Sequence, residues 1–399
     1  MATDDYLATN FSNLSKFYKK RKGKHSSEKY IPKRLIDLTK YIEIVDTIEK
    51  DPERNSIEFN VFDFIFWNAQ KKLLEALASE IARRPISINI TRNDAPHAEL
   101  KVKKRKKADI VLFSGGLDSF LAASDHKDAI LVHVNRAKVM RQFAIKAKSL
   151  LGRRKYYEVA FTPKADQGTM QISNSRGLAF IGLASLFTPA FQSDKIIVGE
   201  NGLLMYNPPI FEGADTTQGL APLLVEKIQK LLQAVYETEI KIEFPNKKLT
   251  KKEVIEKISN NGIPLRKLLQ ATHSCAQQQP RRDVKGIKMC GVCYACIVRR
   301  VSLLANHKDE PRNFIKNPFR EHELKGNGLL HLVDLCRFIQ LYRKGLLSTK
   351  PMHAISQDRL LFERYFNEVT EALKYARKKG LTKGSMIEER IAELEENNP

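Results

Sequence analysis

Ile110-Val111-Leu112-Phe113-Ser114-Gly115-Gly116-Leu117-Asp118-Ser119-Phe120-Leu121-Ala122-Ala123 decides the reading of this chain. Four apolar residues in a row read as a strand, and the alanine-rich segment after Ser119 reads as the start of a helix. A strand, a glycine turn and a helix N-terminus in that order make an anion site. The first N–H groups of a helix lack intrahelical partners, and the helix dipole favours negative charge there. Gly115 and Gly116 let the chain turn tightly and bring bare backbone against a phosphate. Ser114 and Ser119 add hydroxyl donors, and Asp118 adds a carboxylate able to hold Mg²⁺ or to fix the loop.

Outward from this loop, apolar runs alternate with helical segments. Residues 129–134 read as a strand buried on both faces, and 137–150 as a helix ending before Gly152, a residue suited to a left-handed C-cap. Further strands are expected at 156–161, 195–199 and 240–244. Helices are expected at 173–187, entered through the cap-type residues Ser173, Asn174 and Ser175, and at 220–237. This alternation predicts an α/β fold with a doubly wound parallel sheet of five strands. Ligands of such sheets bind beyond the carboxyl ends of the strands, where the strand order switches. The 114–119 loop, Asn135 with Arg136, and Glu200 with Asn201 should then face one crevice. Thr250 and Glu253 have the spacing of a capping box that opens another helix.

Three units are expected: 1–107, 108–310 and 311–399. The first reads as an α/β extension. It has a weak helical stretch at 33–49, alternating strands at 57–62 and 86–90, and an amphipathic helix at 70–84 carrying Leu73, Leu74, Leu77 and Ile81. Its single tryptophan, Trp67, is expected in the core, and the basic run 101–107 is expected to be a linker. The last unit reads as all-helical, with helices near 329–344, 358–379 and 383–397, packed on the sheet.

The chain has 399 residues, 42% of them hydrophobic, which makes it globular. No apolar run approaches the ~20 residues that span a membrane. The acidic N-terminus lacks the pattern of a signal peptide, so a cytoplasmic protein is expected. A net charge of +22 points to nucleic acid, an anionic substrate or an acidic partner, or to a generally lysine-rich surface. The cations are spread along the chain, densest at 16–24 and 101–107.

Four of the five cysteines, Cys275, Cys290, Cys293 and Cys296, fall in a short span, which in such a chain argues for metal over disulfides. Two overlapping Cys-x-x-Cys units place three sulfurs on one turn, and Cys275 can complete a tetrahedral shell suited to structural zinc. An iron–sulfur cluster and unmetallated thiols are the alternatives. A closed four-thiolate shell leaves no position for a substrate. His273 reads as a surface or active-site residue, and Cys336 as a buried thiol of an apolar helix.

The loop resembles the PP-loop, Ser-Gly-Gly-x-Asp-Ser, of the ATP pyrophosphatases and lacks the Gly-Lys-Ser/Thr ending of a Walker loop. With the cysteines added, the chain resembles the 7-cyano-7-deazaguanine synthase (QueC) family across residues 109–306. The match is carried by the loop, Arg176, Leu249-Thr250-Lys251-Lys252-Glu253, Thr272-x-Ser274-Cys275, Cys290-Gly291-x-Cys293-x-x-Cys296 and Arg299-Arg300. The resemblance implies a PP-loop, HUP-like fold. ATP with Mg²⁺ would adenylate the carboxylate of 7-carboxy-7-deazaguanine, an amine would attack to give an amide, and a second round could dehydrate the amide to a nitrile. It implies ATP contacts from Leu112, Phe113, Ser114, Gly115, Gly116, Leu117, Asp118, Ser119, Val134 and Asn135. Catalytic roles fall to Ser114, Asp118, Ser119 and Arg176, and substrate contacts to Glu200, Asn201 and Gly202. Arg176 equally suits a structural ion pair.

The family usually carries Asp-x-x-x-x-Tyr-Pro-Asp-Cys-Arg after the fourth strand. This chain reads Glu200-Asn201-Gly202-Leu203-Leu204-Met205-Tyr206-Asn207-Pro208-Pro209, without that cysteine and arginine. Both terminal extensions are additional. In this length the chain resembles the QueC-like proteins of bacterial anti-phage defence operons, where the amine could belong to an acidic partner protein instead of ammonia. A PP-loop tRNA-modifying enzyme and an ATP-binding scaffold without turnover are the competing readings. A homodimer is left open.

Overall fold

Ile110, Leu112, Ile130, Val132, Ile196 and Val198 enter one apolar core, while Val111, Phe113, Leu131 and Ile197 enter another. That alternation places helices on both faces of one sheet and explains why its inner strands are apolar at nearly every position. In the computed structural model of the chain, residues 18–20, 32–95, 100–135, 138–152, 154–161, 173–210, 217–275, 282–283, 286–319, 328–383 and 385–396 are described. The sheet has five parallel strands in the spatial order Tyr156–Ala160, Ile130–Asn135, Ile110–Leu112, Lys195–Val198 and Lys241–Glu243. The chain starts in the middle, adds two strands to one side and then two to the other. The order therefore switches between Ile110–Leu112 and Lys195–Val198, where Leu112 stands beside Val198. Helices Ser175–Ser185 and Pro222–Tyr236 cover one face. Helices Leu117–Asp125, Lys138–Ser149, Lys251–Asn260 and Leu265–Ala271 cover the other.

The N-terminal unit shares the first of these cores. Helix Pro32–Glu49 looks weak in sequence because charged residues break up its apolar positions. It nevertheless buries Leu35, Leu38, Tyr41, Ile42, Val45 and Ile48, a three-to-four spacing that makes one stripe. Strands Ser56–Val61 and Ser87–Arg92 pair in parallel across helices Phe64–Ala69 and Lys71–Ala82. Trp67 is fully buried and donates Nε1–H to Asp37 Oδ2 at 2.9 Å. The expected linker at 101–107 begins instead in a strand, because Leu100–Val102 pairs antiparallel with Tyr18–Lys20. Most of the basic cluster at 16–24, and Arg136, lie outside the described residues.

The C-terminal helices Gly328–Arg343, Arg359–Lys378 and Met386–Glu396 build a core with helix Tyr294–Ala305 and Leu203. Helix Thr349–Ser356 was not anticipated; Pro351 near its start interrupts the reading but is tolerated in a first turn. No helix of the described residues is long and apolar enough to cross a membrane.

Candidate active site and metal centre

The 114–119 loop leaves the central strand at the order switch. Gly115 has φ +82°, and a Cβ there would meet the backbone of Ala144 at 2.7 Å, so only glycine lets the loop pass the neighbouring helix. Ser114 Oγ and Ser119 Oγ lie 3.0 Å apart. Gly116 N–H donates to Ser114 Oγ at 3.2 Å, and Ser119 Oγ donates to Gly116 C=O at 3.1 Å. Helix Leu117–Asp125 starts at Gly116 with no side chain capping it, which leaves its first N–H groups for an anion. Gly199, after the neighbouring strand, presses on this turn: a Cβ would lie 2.5 Å from Asp118 C=O. Asn246 Nδ2 then bridges Asp118 C=O at 3.0 Å and Gly199 C=O at 2.8 Å. The two loops that flank the switch are thereby pinned to each other.

Asp118 is buried. Its Oδ1 accepts from Asn201 Nδ2 at 3.1 Å, and its Oδ2 pairs with the Lys251 ammonium, which is itself only 3% exposed. Lys251 entered the sequence reading only as part of the Leu249–Glu253 motif, with no function assigned to it. The available signal was its position, because a lysine in the first turn of a helix opposes the dipole. Lys251–Asn260 has the anticipated capping box between Thr250 and Glu253.

Asn201 and Gly202, expected at the substrate, are placed otherwise. Asn201 is fully buried, and its Oδ1 accepts from Leu204 N–H at 3.3 Å as the cap of helix Gly202–Tyr206, so both ends of its amide are used inside the protein. A Cβ on Gly202 would strike Lys247 C=O and Leu361, so the C-terminal helix covers this glycine. Glu200 stays partly open to solvent, and burial, reinforced by the Asp118 carboxylate and opposed by Lys251, pushes its carboxyl up to about 7. Such a group can take or give a proton near neutrality. Arg176, in the first turn of Ser175–Ser185, acts on Glu200 through its charge. Leu112, Phe113 and Val134 are buried, and Asn135 is partly exposed at its strand's carboxyl end.

The helix carrying Arg176 is not capped by its own residues. Asn174 spends its side chain on Ile81 C=O at 3.2 Å and Gln218 N–H at 2.8 Å. Glu49 caps the helix from the N-terminal unit, accepting from Asn174 N–H and, at 3.1 Å, from Ser175 N–H. A carboxylate at a helix N-terminus is a stronger cap than a hydroxyl. Glu49→Ala is therefore expected to cost about 1–2 kcal/mol in urea unfolding.

The C-terminal unit reaches the site from the other side. Thr250 Oγ1 donates to Glu368, and Arg364 binds Glu253 Oε1 at 2.9 Å and Lys248 C=O at 2.7 Å. Burial pushes the Glu368 carboxyl up to about 8, and the same cause raises Asp37 to about 6. Raised folded-state pKa values mean that the folded chain binds more protons than the unfolded chain between the ordinary and shifted values. Stability should therefore fall as pH rises from about 4.5 towards 8. Melting temperatures across that window should drop, and Glu368→Gln should shrink the drop at its upper end.

The four cysteine sulfurs lie within 4.8 Å of one another, with Cys290–Cys296 at 3.8 Å and Cys275–Cys293 at 3.9 Å. Thiolates about 2.3 Å from a single tetrahedral ion stand about 3.8 Å apart, so the donor set fits one metal ion such as zinc. A multinuclear cluster would hold them wider, because irons and sulfides would sit between them. Backbone N–H groups of Cys290 and Cys293 point at Cys275 Sγ (3.5 Å) and Cys290 Sγ (3.3 Å), an environment that favours thiolate. Fully buried Arg299 ties the segment down through Thr272 Oγ1 at 3.1 Å and Leu269 C=O at 3.0 Å. Arg300 grips Asp309 with two bonds, at 3.0 and 2.9 Å. Two residues before Cys275, His273 N–H donates to Gly115 C=O at 3.3 Å, and its ring stacks on Phe143 at 4.5 Å. The cysteine segment thus rests directly on the anion loop. Cys336 lies in the C-terminal helical core. In the interval before Cys290, Arg282–Asp283 pairs with Gly286–Ile287, and residues 276–281 and 284–285 lie outside the described residues.

Sheet, loop and pinned carboxylate together define an α/β fold of the PP-loop kind. Residues 132–307 match the family described as queuosine biosynthesis protein QueC, and over that span the chain is similar to QueC-like proteins. The span holds Arg176, Glu200, Lys251 and the four cysteines, and the anion loop lies just before it. The similarity supports an ATP-using enzyme related to deazaguanine chemistry. No curated protein matches the chain.

Proposed function

We propose that this chain is an ATP-dependent carbon–nitrogen ligase that adenylates the carboxylate of 7-carboxy-7-deazaguanine, or of a close relative, and passes the acyl group to an amine. The observation that carries the reading is the uncapped helix start at Gly116, set at the strand-order switch and locked from beneath through Asp118. That geometry suits a triphosphate held by backbone N–H groups and the Ser114 and Ser119 hydroxyls. A substrate carboxylate oxygen attacks the α-phosphorus, the bond to the β-phosphate breaks, and pyrophosphate leaves. The amine then attacks the acyl carbon, and AMP leaves with one former carboxylate oxygen. Arg176 steadies developing negative charge, and Glu200, with its carboxyl near 7, takes the proton that the amine loses.

Asp118 is committed to Lys251 and Asn201, so it serves to fix the loop, and Mg²⁺ enters this reading only as part of the ATP complex, where it neutralises phosphate charge. Zinc in the four-cysteine shell is structural. The amide is the first product, and a nitrile requires a second ATP. Ammonia or a protein amine can serve as acceptor. The altered 200–209 segment and the two extensions favour a protein amine.

The test is incubation of the purified chain with ATP, Mg²⁺, 7-carboxy-7-deazaguanine and either ammonia or candidate partner proteins. Stoichiometric AMP and pyrophosphate, with the mass of an amide on base or protein, is the expected result. Formation of ADP and phosphate would reject the reading.

A further inference from the structure

Residues 103–107, Lys-Lys-Arg-Lys-Lys, are all exposed and precede the central strand, whereas the anion loop follows it. In a parallel sheet these are opposite ends, so this charge does not serve ATP. The segment is also fixed in place. Arg105 N–H donates to Ala190 C=O at 2.7 Å, Ala108 N–H to Phe191 C=O at 3.2 Å, and Gln192 Nε2 to Arg105 C=O at 3.1 Å. Some acids at this end are taken, Asp194 by Lys107, Glu243 by Lys195 and Glu239 by Lys241, while Asp109 and the exposed Asp128 form no salt bridge among the described residues, so cations outnumber free acids here. Lys103, Lys104 and Lys106 pair with no carboxylate among the described residues, and neither do the exposed Lys127 and Lys155, which precede the next two strands of the sheet.

We infer that this strap is a docking surface for the phosphate backbone of a nucleic-acid duplex. A specific protein interface needs an apolar or aromatic centre, and 103–109 has none. Binding of single strands relies on aromatic stacking, which the strap also lacks. Phosphates need only fixed cations, and the backbone bonds of Arg105 and Ala108 hold these in place. The site stands independently of the ligase reading.

The test is fluorescence anisotropy with a labelled 20-base-pair DNA duplex over a salt series. The triple variant Lys103→Ala, Lys104→Ala, Lys106→Ala should lower the slope of log affinity against log salt by about 2 to 3, with at least a tenfold loss of affinity at low salt. A control triple on a remote helix, Lys374→Ala, Lys378→Ala, Lys379→Ala, should change both far less, and ATP cleavage should be unchanged in each. Equal losses in the two triples would mean diffuse attraction by the net charge and would overturn the inference. Strap-dependent binding of a deca-glutamate peptide tighter than the duplex would also overturn it, in favour of an acidic protein partner.

Discussion

Lys251→Met is expected to lower carboxylate-dependent AMP release by about a hundredfold or more and to destabilise the fold by about 3–5 kcal/mol. The ammonium and the Asp118 carboxylate are both buried, and Asp118 sits in the first turn of the helix that opens the anion loop. Removing the cation leaves an unpaired buried charge, which either drags water into the site or takes up a proton. Either outcome shifts the turn that Asn201 and Asn246 hold in place. Initial rates and urea unfolding measure the two effects. A double variant with Asp118→Asn removes the stranded charge and should recover much of the stability without recovering activity. Recovery of activity would mean that the pair serves only packing.

Loss of the metal should have a comparable effect by another route. The Cys275 segment reaches Gly115 through His273, so opening the thiolate shell frees the wall against which the loop is built. Cys290→Ser, or prolonged chelation, is expected to weaken ATP binding more than tenfold and to lower the melting temperature, because metal binding of this kind is folding energy. Elemental analysis should find one zinc per wild-type chain. Cys336→Ser is the control: its thiol lies in the helical core away from the shell, and ATP binding should be unchanged. ATP binding that survives complete loss of metal would separate the two sites.

What could be read in the sequence was what is local. The inner strands of the sheet were legible because they are buried on both faces and read as apolar runs. The loop and the cysteine turn were legible because their chemistry sits within a few neighbouring residues. The contacts that make the site rigid were not. Lys251 meets Asp118 across 133 positions, and Glu49 meets Asn174 across 125. A single sequence carries no sign of which charges will pair over such separations. The same cause hid the partners of Asn201, whose amide bonds to Asp118 and Leu204 inside the protein. Helix Pro32–Glu49 looked weak because its stability comes from the core it shares with the sheet, and little of it from intrinsic propensity.

In the proposed reaction a substrate carboxylate attacks the α-phosphate of ATP held at the 114–119 loop. Oxygen-18 in the carboxylate of 7-carboxy-7-deazaguanine tests it most directly. One labelled oxygen should be recovered in AMP and none in pyrophosphate, as read by phosphorus NMR or mass spectrometry. Unlabelled AMP formed together with product would show that the acyl group never passed through an adenylate, and would contradict the account.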